Sequence, residues 1–105
     1  KTYLKRIKNK KIKLPYYSGN KSHVFHQFVI EVKNRDRFLK YMKANGIGTL
    51  VHYPIAPHKQ IALLKYKDLN LPITEKIHKV VVSLPLHPCL NSEEIEEIIK
   101  VVNKY

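Results

Sequence analysis

Apolar and polar positions along this chain alternate with a period of two in one stretch and of three to four in several others. From His23 to Val32, Val24, Phe28, Ile30 and Val32 share one face at period two, while Phe25 and Val29 make the middle of the other face apolar. A strand apolar on both faces is covered on both or lies centrally in its sheet. His23 and His26 are an odd number of residues apart, so the pattern points them to opposite faces, away from any shared metal. Asn34 is placed to cap a following helix, Asp36 favours its positive end and Gly46 closes it; Phe38, Leu39 and Met42 form its buried stripe. Thr49 to Val51 reads as a short second strand, and Ile61, Leu63 and Leu64 as a brief helical turn.

The second half is patterned the same way. Thr74 is expected to cap a short helix with Glu75 in its first turn and Ile77 facing inward. Val80, Val81, Val82 and Leu84 predict a third strand, closed by Pro85. Asn91 and Glu94 form a variant capping box for the last helix, whose apolar face is Ile95, Ile98, Ile99 and Val102. At the other end Tyr3, Leu4 and Ile7 have helical spacing but no start signal before them, so they read as the tail of a helix begun upstream; Lys8 to Lys13 read as a solvated basic connection. The expected fold is α+β, a small antiparallel sheet of about three strands with helices packed on it. Residues 1–22 would be helix tail and connection, and residues 23–105 the domain proper.

Charge and composition narrow this picture. The 105 residues suit one domain with a modest core. A single cysteine, Cys89, excludes an internal disulfide, and its place between Pro88 and Leu90 suggests a buried, inert thiol. No apolar run approaches the ~20 residues that span a bilayer, and the basic start lacks the apolar stretch of a signal peptide, so a soluble, cytoplasmic chain is expected. The net charge of +12 invites phosphate. Eight of the twenty basic residues, however, fall within residues 1–21 with no acid among them, which leaves the remaining chain at a net +4. A freestanding basic nucleic-acid-binding α+β module is the alternative this charge raises, with Tyr16 and Tyr17 as candidate stacking groups. Phe25 and Phe28, pointing to opposite faces, argue against a base-stacking platform.

The most chemically suggestive stretch is Thr49 to Gln60. Tyr53 precedes Pro54 and Ala56 precedes Pro57, so both are pushed towards extended backbone, and His52, Tyr53 and His58 sit on a loop of limited freedom. Such a loop can present hydrogen-bond donors to a polar ligand. Other chemistries find little support in the sequence. Gly46-Ile47-Gly48 is too short to cradle phosphates, His87 and Cys89 lack the further ligands of a zinc site, and the carboxylates of the last helix are read as helix-stabilising. No metal ligand and no catalytic residue is assigned.

Several phrases, in order, resemble one family: His23-Val24-Phe25-His26-Gln27-Phe28-Val29-Ile30, Gly46-Ile47-Gly48-Thr49, His52-Tyr53-Pro54-Ile55-Ala56-Pro57-His58-Lys59-Gln60, Leu71-Pro72-Ile73-Thr74-Glu75 and Ser83-Leu84-Pro85-Leu86-His87-Pro88. Together they are similar to the C-terminal part of the DegT/DnrJ/EryC1/StrS sugar aminotransferases, with Ala56 standing where many relatives have proline. The resemblance implies the small C-terminal domain of a fold-type I, pyridoxal phosphate-dependent homodimer. Such enzymes transfer an amino group, usually from glutamate, to a nucleotide-linked keto sugar. It implies that the cofactor is held by an upstream large domain, that the segment alone is inactive, and that the chain begins within a longer protein. It further implies that His52 and Tyr53, with His58 third, bind the nucleotide-sugar substrate. A remnant used only for dimerisation is the remaining option.

Overall fold

The computed structural model describes residues 1–105. Its regular elements are helix α1 (Thr2–Arg6), strand β1 (Ile12–Lys13), strand β2 (Phe28–Val32), helix α2 (Arg35–Ala44), helix α3 (Pro72–Val80), strand β3 (Val81–Leu84) and helix α4 (Ser92–Lys104). Two short 3₁₀ segments, Pro57–Lys59 and Ile61–Tyr66, lie between α2 and α3. The sheet runs β1-β2-β3, antiparallel throughout, with Ile12 opposite Val32, Phe28 opposite Leu84 and Ile30 opposite Val82. Opposed residues of an antiparallel pair share a face, so these six apolar side chains form one continuous inner surface. Phe38 and Met42 of α2 and Ile98, Ile99, Val101 and Val102 of α4 complete the core with them. No helix is long and apolar enough to cross a membrane.

The two best-patterned helices form for the reasons their sequences predict. Asn34 accepts from the Arg37 amide at the start of α2, and Gly46, at φ +74°, takes the left-handed turn that ends it. Around α4 the capping box closes in both directions, the Asn91 side chain accepting from the Glu94 amide at 2.8 Å and Glu94 accepting from the Asn91 amide at 2.9 Å. The helices are held to one another by aromatic and polar contacts: the Tyr105 ring lies 4.9 Å edge-on from Phe38, and the Tyr41 hydroxyl donates to the Val101 carbonyl at 3.0 Å.

Elsewhere the structure departs from the expectations. The strand expected from His23 begins only at Phe28, and Val24 is exposed. Phe25 adopts a positive φ of 50°; its amide donates to His23 Nδ1 at 2.9 Å and its ring stacks on the same imidazole at 4.0 Å. This local aromatic turn overrides the period-two pattern, and it brings Phe25 to 6.1 Å from Phe28 instead of onto the opposite face. The expected strand at Thr49–Val51 is reduced to a single bridge between Leu50 and Ser83. The third strand is instead β1, inside the basic run, where buried Ile12 supplies the apolar anchor.

Helix α3 starts at Pro72, with Leu71 rather than Thr74 as its cap residue, because proline is pre-set for the first helical turn. Ile77 is exposed, and so is Cys89, in place of the buried positions expected. Residues of the supposed helix tail and connection are part of the core: Tyr3, Ile7 and Ile12 are buried in it. Asn9 and Asn103 tie the start of the chain to α4, Asn9 Nδ2 donating to the Val102 carbonyl at 2.9 Å and Asn103 Nδ2 to the Arg6 carbonyl at 3.0 Å. An Arg6–Glu96 ion pair adds to this seam. The Tyr3 hydroxyl donates to the Pro85 carbonyl at 2.9 Å, and burial pushes its pKa up to about 12.

Candidate functional site

The loop after Gly48 leaves the sheet at the Leu50–Ser83 bridge, which exchanges both backbone hydrogen bonds, at 2.8 and 3.3 Å. That bridge fixes where His52 emerges. Its imidazole is half-buried, with Nδ1 2.9 Å from the Ser83 hydroxyl. Ser83 is one of only two buried polar side chains, and it holds this position because β3 is covered on both faces. Around the pair lies a cleft of about 160 Å³ lined by His26, Gln27, Thr49, His52 and Ser83 alongside three leucines. Donors and acceptors converging from three separate stretches of chain can bind a polyhydroxylated or phosphorylated ligand.

The three expected site residues do not come together. Tyr53 follows His52 across a cis peptide and is exposed, its ring edge-on to the imidazole at 5.8 Å, outside the polar cleft. His58 is buried, and its Nε2 lies 3.1 Å from Glu75 Oε1. A carboxylate only accepts, so Nε2 carries the proton. The hydrogen bond from His58 holds the Glu75 carboxyl below its ordinary pKa, with backbone contact at Leu71 and the Lys59 ammonium adding to the effect against some desolvation.

Helix α3 brackets the loop through two residues one turn apart on a single face, Glu75 and His78. His78 Nδ1 donates to the Tyr53 carbonyl at 2.6 Å, and the Arg35 guanidinium reaches from α2 to the His78 carbonyl at 2.5 Å. Lys59 lies 3.7 Å from the Glu75 carboxylate and donates to the Lys67 carbonyl at 2.8 Å. The loop therefore has fixed ends, His52 on β3 and His58 on α3, and presents Tyr53 between them. Thr49 opens the suggestive loop, but sequence patterning gave no sign of His26, Gln27 or Ser83 as cleft residues. Their only signal was membership of the recurring phrases, since period-two patterning assigns Ser83 to strand interior and nothing more.

The model of the DegT/DnrJ/EryC1/StrS aminotransferase family matches residues 1–103. The dTDP-3-amino-3,6-dideoxy-alpha-D-galactopyranose transaminase of Aneurinibacillus thermoaerophilus is 47% identical over 103 residues, 98% of this chain and 28% of that protein. The crystal structure of Streptomyces venezuelae DesV in complex with a ketimine intermediate superimposes with a TM-score of 0.90 at 29% identity, covering 98% of this chain and 29% of that one. Bacillus subtilis NtdA with bound cofactor PMP superimposes with a TM-score of 0.81 at 32% identity, covering 96% of this chain and 25% of that one. The chain thus spans between a quarter and a third of the length of each of these relatives.

Proposed function

Because this chain belongs to the DegT/DnrJ/EryC1/StrS aminotransferase family, we propose that it is the small C-terminal domain of a cytoplasmic, pyridoxal phosphate-dependent homodimer that aminates a nucleotide-linked keto sugar with glutamate as donor. The observation that carries this proposal is the 47% identity, spread over 98% of the chain, to a transaminase named for a dTDP-linked amino sugar. In this proposal residues 23–105 form most of the small domain, and residues 1–22, whose Tyr3, Ile7 and Ile12 pack in its core, join it to the large one.

The cofactor's own chemistry supplies the amino-group transfer, through a desolvated lysine and an acid facing the pyridine nitrogen. Residues of this chain do not fit that role. Every lysine is exposed, as are Asp36 and Asp68, so this domain by itself holds none of them in the dry surroundings that a Schiff-base amine requires. No step of the transfer is assigned to this chain, and both cofactor groups belong to the large domain in this proposal.

The chain's contribution is to hold sugar and phosphate. His52, oriented by Ser83, offers Nε2 to the cleft, and Tyr53 offers its hydroxyl from the loop held by His58 and His78. His58, buried against Glu75, serves the ligand through the loop it anchors. Each direct contact is worth about 0.5–1.5 kcal/mol, more to a charged acceptor. In the intact enzyme, His52→Ala and Tyr53→Phe should each raise the KM for the sugar nucleotide by up to about tenfold while the cofactor absorption spectrum stays unchanged. Normal turnover by both variants would remove the loop from the site; no amination of any dTDP- or UDP-linked keto sugar would remove the proposed reaction.

A further inference from the structure

On another part of the surface, the turn before β1, the turn between β2 and α2, and Tyr105 at the end of α4 line an open cavity of about 410 Å³. That volume is in the range of small-molecule sites. Its rim carries Lys10, Lys11, Lys33 and Arg37 and no acidic residue. Two of these cations arrive from the basic run near the start of the chain and two from more than twenty residues further on, so their meeting is a product of the β1–β2 pairing.

Within the molecule the charge of this cluster meets only the main-chain oxygen of Tyr105, a carboxylate oxygen in a chain that ends there. The nearest acids along the chain are engaged elsewhere: Glu31 holds Lys13 at 2.7 Å and Asp36 lies 3.6 Å from Arg35. Glu75, Glu96 and Glu97 pair with Lys59, Arg6 and Lys100, and Glu94 closes the α4 capping box. No ion pair involves any of the four rim cations. Lys11 donates to the Tyr105 backbone oxygen at 2.8 Å, which fixes its ammonium at the Tyr105 end of the rim.

We infer that this cavity is a binding site for the diphosphate group of a small molecule. A terminal diphosphate carries about −3 near pH 7, one charge on the bridging phosphate and about two on the terminal one, so it offsets most of the charge of four cations, and an arginine among them supplies the planar donor fork that phosphate accepts in pairs. A nucleic acid is the poorer fit. Tyr105, the aromatic side chain lining the cavity, is half-buried against Phe38 and Tyr41 at 4.9 and 5.2 Å, and the Lys11 ammonium lies over its ring at 5.5 Å, where a stacking base would have to sit. The cavity shares no residue with the His52 cleft, so diphosphate binding and sugar amination succeed or fail separately.

The test is titration of the 105-residue chain with inorganic diphosphate, orthophosphate and ADP at low ionic strength, followed by calorimetry and amide chemical shifts. The expected result is saturable one-to-one diphosphate binding, about tenfold tighter than orthophosphate, with shifts confined to Lys10, Lys11 and Lys33–Arg37. Lys33→Ala/Arg37→Ala should weaken it by about tenfold or more with an unchanged circular dichroism spectrum; if that pair does not fold, Lys10→Gln/Lys11→Gln is read by the same threshold. ADP binding more tightly than diphosphate identifies a nucleotide as the source of the group, and the reverse identifies the free anion. Equal affinity for ortho- and diphosphate, shifts scattered over other lysines, a variant within threefold of wild type, or a single-stranded RNA that binds the same residues more tightly would each overturn the assignment.

Discussion

Residues 48–80 and the rest of the chain are built on different principles. Of nineteen buried residues, only Ala56 and His58 lie between 48 and 80; the other seventeen belong to the sheet, α1, α2, α4 and the turns joining them. Conversely, ten of the thirteen large apolar side chains left exposed, Leu50, Tyr53, Ile61, Leu64 and Ile73 among them, fall inside that segment. The sandwich satisfies itself by burial. The segment keeps its shape by polar ties, His58 to Glu75, His78 to the Tyr53 carbonyl and Lys59 to the Lys67 carbonyl. A concentration of exposed apolar groups of this kind marks a surface suited to contact with further protein, and in the proposed intact enzyme it would face the large domain or the second subunit.

Removing volume where burial is complete should have the largest effect. Phe38 has no exposed surface, and Phe38→Ala should cost about 3–5 kcal/mol in urea denaturation. A loss below ~1 kcal/mol would mean that α2 is not part of the core as described. Next in size, Asn91→Ala should cost about 1 kcal/mol, because the α4 capping box loses its acceptor for the Glu94 amide; no change in the melting midpoint would show that the box contributes nothing.

Acid should act on the polar segment before the sandwich. Glu75 has a folded pKa below its unfolded value, so its contribution is fully present above the ordinary carboxylate value of 4.5. That contribution is lost as pH falls through the lower folded value. Amide shifts of Lys59 and Gln60, which close the turn onto Ala56 and Pro57, should therefore follow a midpoint below the ordinary carboxylate range, and Glu75→Gln should abolish that titration. A midpoint at or above the ordinary value would sever the link between Glu75 and the loop. The smallest effect is expected where the segment is most apolar and least buried: Ile61→Ser and Leu64→Ser should each change stability by less than about 0.5 kcal/mol. Losses of ~2 kcal/mol would show that these side chains are buried in solution.

Legibility in the sequence followed the range of the forces involved. Helices α2 and α4 were readable in full, stop and start, because their caps and apolar stripes are contained within a dozen or so residues. Strands β2 and β3 were readable in their cores, where β-branched residues cluster, while the limits of β2 were set by the His23–Phe25 stack and its positive φ. In the proposed site, the order of the family-like phrases singled out one loop. It could not say that His58 turns inward to Glu75, or that Ser83 from a distant strand orients His52.

What the amino-acid order determined by itself is thus the family, the capped helices, the apolar faces and the excess of lysine near one end. Tertiary structure alone decided that Ile12 pairs with Val32, that four cations from two stretches meet around one cavity, and that the histidines of one loop divide between a strand and a helix. The physical reason is that periodicity and capping are satisfied by neighbours in sequence. A pairing register, a buried polar contact or a cluster of like charges has no energy until residues far apart in the chain are brought within a few ångströms.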